Sequence, residues 1–288
     1  MKLVTFDAGS GPRAGALHNG RVLDLAEISS GCLPSDMVGI LQYGDEGLDT
    51  ARKVVAEAPA DAGHAEADVK ILAPLLNPSK VVAIGLNYMD HCREQKVDPP
   101  ELPLIFTKFT TSIVGPGDDI VWDPNLTSQV DYEVELALVI GKTARQVKAA
   151  DALDYVAGYT ICHDVSARDL QFGDGQWVRG KSLDTFCPLG PWLVTKDEIA
   201  DPHNLSIRCL VNGEALQDSS TKELIFDLPT LIEFCSNAFT LSPGDIITTG
   251  TPDGVGVFRD PKIFLKDGDV VTCEIEGLGQ ITNTCREA

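Results

Sequence analysis

The chain has 288 residues, 43% of them hydrophobic, enough to bury a full core and to argue against disorder. Its 23 Lys and Arg stand against 43 Asp and Glu, a formal charge of −20 that disfavours nucleic acid and anionic membranes as partners but leaves room for a small anion in a local cationic pocket. No run approaches the roughly 18 to 20 apolar residues of a membrane span, and the opening MKLVTFDAGSGPRAG lacks the apolar stretch of a secretory signal, so a soluble, unexported protein is expected.

In chain order, LVTF, AGAL and VLDL read as short strands, and Asn19-Gly20 between the last two marks a hairpin. Helical patterns follow near Ser35 to Leu41 and Gly47 to Glu57, and the Ala-, Asp- and Pro-rich stretch Ala58 to Ala67 reads as a linker. This predicts a small N-terminal α/β domain with its linker over residues 1–69 and a larger domain over 70–288. In the larger part, VVAIG, PLIFTKF, Val134 to Ile140, YVAGYTIC, LSIRCLVNG, DIITTG and VVTCEIEG are short apolar runs punctuated by Gly and Pro, the spacing of a sandwich or barrel. Helices are expected near Ala149 to Tyr155 and Leu228 to Ala238. The fold class is therefore mainly β with short helices, α+β. The eight cysteines form no C-x-x-C pair and mostly sit in apolar stretches, which fits reduced, buried thiols and no structural zinc.

The stretch Tyr132 to Ile140 reads as an interior strand. Val134, Leu136, Leu138 and Ile140 share one face, and Glu133, Glu135, Ala137 and Val139 the other, so two glutamates stand side by side where the pattern is otherwise buried. Unpaired buried carboxylates are costly and raise one another's pKa, and a hard divalent cation relieves both problems. From pattern alone an exposed strand end is the commoner origin of such a pair. Asp164, where YVAGYTICHD leaves its strand, is either a third ligand or a helix N-cap. His91 and Glu94, three apart, lie on one face of a short helix: an exposed ion pair, or a base oriented by its carboxylate.

Five ordered blocks carry a resemblance: Gly85-Leu-Asn-Tyr-Met-Asp-His-Cys-Arg-Glu94, Asp131-Tyr-Glu-Val-Glu-Leu-Ala, His163-Asp-Val-Ser-Ala-Arg-Asp-Leu-Gln171, Gly180-Lys-Ser-Leu-Asp-Thr-Phe-Cys-Pro-Leu-Gly-Pro and Thr249-Gly-Thr-Pro-Asp-Gly-Val-Gly256. Over roughly residues 70–288 the chain resembles the fumarylacetoacetate hydrolase superfamily. Thr111-Ser-Ile-Val-Gly-Pro116 and Ala200-Asp-Pro-His-Asn-Leu are most similar to its group of domain-containing protein 2 members. The resemblance implies a twisted β-roll catalytic domain, a homodimer, and one Mg²⁺ or Mn²⁺ per subunit held by Glu133, Glu135 and Asp164. It implies that Lys181 stabilises an enolate oxygen, that Arg168 and Gln171 reach the substrate's carboxylate or distal oxygen, and that Thr251 holds the keto acid through its backbone and hydroxyl. His91 and Glu94 match the lid-borne base of the family, whereas Tyr159 is expected to pack in the core.

The expected activity is metal-dependent chemistry on a small 2-keto acid through a stabilised enolate, in the first place hydrolytic C–C cleavage of an acylpyruvate. The alternatives are keto–enol tautomerisation or decarboxylation of oxaloacetate, a related 2-hydroxydienoate isomerisation, or a silent metal-binding interaction protein. A front segment of about 65 residues is shorter than that of fumarylacetoacetase proper, which speaks against fumarylacetoacetate as substrate. Because the chain begins almost at its first strand, a cytoplasmic location is expected, with the mitochondrial matrix after leader removal as the alternative.

Overall fold

The computed structural model describes residues 1–288. A 12-stranded mixed sheet runs through the molecule. Along its main path stand His64–Ala65, Arg21–Asp24, Pro12–His18, Lys2–Asp7, Cys187–Thr195, Val156–His163, Val134–Ile140, Ile246–Thr248, Val81–Gly85 and Leu104–Lys108. A second, five-stranded sheet is ordered Glu214–Ser220, Ser206–Val211, Val270–Ile275, Gly279–Glu287 and Ile120–Trp122. The mainly β class with short helices is what the chain adopts.

The front of the chain follows its local signals. Asn19 and Gly20 both take positive φ, 49° and 73°, and close a two-residue hairpin in which His18 faces Arg21, the turn that suits the twist of the flanking strands. Helix Met37–Gln42 starts on the Asp36 side chain, which accepts from Gly39 N, and helix Gly44–Glu57 follows directly. The stretch expected as a linker contributes the two-residue strand His64–Ala65 and a 3₁₀ turn at Glu66–Asp68. Strand Lys2–Asp7 pairs with Cys187–Thr195, so the front strands extend the large sheet, and Leu3, Leu23, Ile40 and Leu48 share one apolar cluster with Ala137, Val139 and Leu189.

Helix Leu228–Ala238 forms where its period places it, capped by Asp227 and opened by a proline, whereas Ala149–Tyr155 is 3₁₀ rather than α. Strand Val134–Ile140 is buried along its whole length and divides two cores. Val134, Leu136, Leu138 and Ile140 enter a 39-residue cluster shared with the second sheet, and Ala137 and Val139 enter the cluster shared with the front of the chain. This two-sided burial is why the same strand can carry carboxylates into the interior. All eight cysteines are free, and all but the exposed Cys32 are buried.

Candidate active site

The site has an acidic floor and a helical roof. Strand Val134–Ile140 pairs antiparallel with Val156–His163, Val134 facing His163, and Asp164 N donates to Glu133 O at 2.9 Å just beyond that register. Adjacent strands lie about 4.8 Å apart, so the pairing carries Asp164 to the two glutamates. Carboxylate oxygens of Glu133, Glu135 and Asp164 all lie within 4.8 Å of one another, and all three residues are buried.

Three buried cations brace this floor. Lys181 Nζ lies 2.7 Å from Glu133 Oε2 and 2.7 Å from Asp164 Oδ2. Arg168 Nη2 is 2.6 Å from Glu133 Oε1, its Nε donates to Asp131 Oδ2 at 2.8 Å, and its Nη1 donates to Gln171 Oε1 at 2.9 Å. Lys108 donates to Asp164 Oδ1 and to the carbonyl of Lys181. Four carboxylates, Asp131, Glu133, Glu135 and Asp164, thus face three cations, Lys108, Arg168 and Lys181, leaving one excess negative charge if all are ionised.

That excess falls on Glu135. Burial, and then the charges of Asp164 and Glu133, push its carboxyl well above the usual range, and its side chain accepts from Gly250 N at 3.0 Å. Burial would also raise Glu133, but Lys181 and Arg168 outweigh it and hold the carboxyl far below its ordinary value. His163 is pushed down to about 3, first by burial and then by the neighbouring Lys108, so it is neutral. Three hard oxygen donors with a surplus of negative charge fit a divalent cation: Glu133, Glu135 and Asp164 would hold it.

The roof is helix Met89–Gln95. His91 Nδ1 lies 2.8 Å from Glu94 Oε2, and Glu94 Oε1 accepts from Gly254 N at 2.9 Å, so the glutamate orients the imidazole and pins the helix to the Gly-rich loop. Asn87, just before the helix, donates to Thr249 O at 2.9 Å and to Phe226 O at 3.1 Å. Ser219 donates to Asp90, and Arg93 pairs with Glu223.

Between floor and roof lies a pocket lined by His91, Gln95, Glu133, Glu135, Arg168, Gln171, Lys181 and Thr251, with Ile84, Phe106, Phe172, Trp177 and Phe258 among its apolar walls. The candidate residues therefore converge, with Glu94 and Asp164 standing behind the lining. The Thr251 hydroxyl donates to Val134 O at 2.9 Å and accepts from Gln217 at 2.8 Å, so it is committed to the protein. Tyr159 packs in the large apolar cluster.

Sequence reasoning missed Lys108, Asp131, Gln95 and Gln217. Lys108 is the penultimate residue of the run PLIFTKF, and a lysine there reads as surface by default. Asp131 opens the Glu-x-Glu block, where it accepts from Gly256 N at 2.8 Å and Val257 N at 3.0 Å as well as from Arg168. Position beside the glutamates was its one available signal.

Fold and site together define a β-rich protein with a buried carboxylate triad, flanking lysine and arginine, and a histidine–glutamate pair above them. The family model for the C-terminal part of fumarylacetoacetate hydrolase matches residues 80–286. The chain is 52% identical over 289 aligned residues to the Bos taurus protein named oxaloacetate tautomerase FAHD2A, mitochondrial, covering 98% of this chain and 91% of that one. A Mycobacterium smegmatis structure titled a putative HpcE protein is 38% identical and superposes with a TM-score of 0.91, covering both chains fully. A Sphingobium maleylpyruvate hydrolase, solved with manganese and pyruvate, is 31% identical with a TM-score of 0.82, again over both whole chains. The chain belongs to the fumarylacetoacetate hydrolase family, and it is an enzyme of that family.

Proposed function

We propose that this chain interconverts the keto and enol forms of oxaloacetate. What carries the reading is the 52% likeness, over 98% of the chain, to a protein named oxaloacetate tautomerase. The hydrolytic cleavage expected first from the sequence ranks behind it, because the maleylpyruvate hydrolase is more distant at 31% identity.

In this reading the 2-keto oxygen and its neighbouring carboxylate face the acidic floor. A divalent ion, Mg²⁺ or Mn²⁺, supplies Lewis-acid polarisation of the ketone when bound there; manganese is present in the maleylpyruvate hydrolase. With Nδ1–H donating to Glu94, His91 keeps a lone pair on Nε2 and takes a proton from C3. The C–H electron pair becomes the C2–C3 double bond as the ketone oxygen gains charge, next to the Lys181 ammonium; that ammonium gives the oxygen a proton to complete the enol, Lys181 is reprotonated from solvent, and His91 releases the proton it took to solvent. Arg168 and Gln171 hold the distal carboxylate. Homodimeric assembly is carried over from the family resemblance. A mitochondrial location accords with the name of the bovine relative, whereas nothing in the comparisons supports the cytoplasmic expectation.

The test is enol decay of oxaloacetate by ultraviolet absorbance in Mg²⁺ or Mn²⁺, with pyruvate followed in parallel by a coupled assay. Accelerated decay without pyruvate supports the reading; pyruvate release at the same rate would make the enzyme a decarboxylase, and no acceleration would remove oxaloacetate as substrate.

A further inference from the structure

Both ring nitrogens of His91 are occupied by its own helix. Nδ1 faces Glu94 at 2.8 Å, and Nε2 faces Gln95 Nε2 at 2.7 Å. A carboxylate at Nδ1 requires the proton there, so Nε2 carries its single in-plane lone pair and the Gln95 amide donates to it. Gln95 stands one turn beyond His91, at the last position before Lys96 ends the helix in a left-handed conformation (φ 56°), and it lines the same pocket.

We infer that Gln95 is a positioning residue that decides reaction type, by holding the His91 Nε2 lone pair against water so that the site tautomerises its keto acid instead of hydrolysing it. The inference rests on the tautomerase reading.

Hydrolysis of an acylpyruvate needs that same lone pair. A water loses a proton to His91 Nε2 as its oxygen bonds to the distal carbonyl carbon, the C3–C4 bond breaks, and its electron pair leaves as the pyruvate enolate, which is then protonated at C3. A free water must compete with an amide tethered four residues away, whose effective concentration at Nε2 is that of an intramolecular group. A keto acid anchored on the floor is itself held in place, so its C3–H displaces the amide on equal terms. Glu94 cannot yield in the same way, since Gly254 N fixes its other oxygen. The half-buried Gln95 is the partner free to swing.

The experiment compares the wild-type enzyme with Gln95→Ala and Gln95→Ser, in Mg²⁺. It measures oxaloacetate enol decay and acetylpyruvate cleavage, with ¹⁸O from labelled water read in the acetate. The expected result is a ratio of hydrolysis to tautomerisation raised at least about ten-fold in both variants, the equivalent of one ordinary hydrogen bond, with ¹⁸O in the acetate. An unchanged ratio, or equal loss of both activities in correctly folded variants, overturns the inference. A wild-type enzyme that hydrolyses acetylpyruvate as fast as it tautomerises oxaloacetate also overturns the inference, whereas a wild-type enzyme that fails to accelerate oxaloacetate enol decay removes the proposed function itself, and that outcome is visible before any variant is made.

Discussion

Glu135 lies in strand Val134–Ile140, and Glu133 and Asp164 flank the ends of that strand and its neighbour Val156–His163, whereas His91, Glu94 and Gln95 ride a seven-residue helix held down by side-chain clasps. The floor is tied by buried ion pairs to Lys108, Lys181 and Arg168. The roof is tied by Glu94 to Gly254, Ser219 to Asp90 and Arg93 to Glu223, contacts that are partly or wholly exposed. Such clasps contribute about 0.5–1.5 kcal/mol each, while a buried ion pair broken on one side costs about 3–5 kcal/mol. Under the proposed function, metal binding and fold would belong to the floor, and proton transfer and the choice of reaction to the roof.

Substitutions that hit one region alone test this division. Glu135→Ala is expected to abolish divalent-ion binding by calorimetry and to lower turnover at least about a thousand-fold, the scale of losing several kcal/mol of charge stabilisation. Chelation should reproduce that loss in the unaltered enzyme, with Mg²⁺ or Mn²⁺ restoring it. Lys108→Met leaves the buried Asp164 carboxylate with Lys181 as its one remaining cation and should cost up to about 3–5 kcal/mol in urea unfolding, which would mark Lys108 as a structural member of the floor. His91→Ala should slow tautomerisation about a hundredfold or more while the melting temperature and metal affinity hold; a fall in metal affinity would erase the boundary between the regions. Smallest of all, Ser219→Ala removes one clasp and should cost about 1 kcal/mol, read as faster amide exchange in Met89–Gln95 with the large sheet unaffected.

The sequence made some of this plain and hid the rest for physical reasons. Local rules cover the Asn19-Gly20 hairpin, the Asp227 cap of its helix and the alternation of Val134 to Ile140, because each depends on residues a few positions apart. The short strand at His64–Ala65 depends on distant partners, Arg21 and Val22. Glu133 and Glu135 were visible because acids on an apolar strand violate its pattern. Lys108 was not, since its meaning lies 56 residues away in Asp164. Gln217 likewise looks like an exposed amide in EALQDSS, but it accepts from Val134 N at 2.9 Å and donates to Thr251.

The hydrogen bond from Asp164 N to Glu133 O also bears on how such an enzyme changes over evolutionary time. Spacing among the carboxylates is inherited from the pitch of a β-ladder, so insertions and deletions in the surrounding loops pass it by. The helix overhead has no such protection: one altered side chain at its last turn changes what meets the substrate. A substitution at the mouth of the pocket can therefore alter what meets a substrate while the carboxylate oxygens of the floor stay in place.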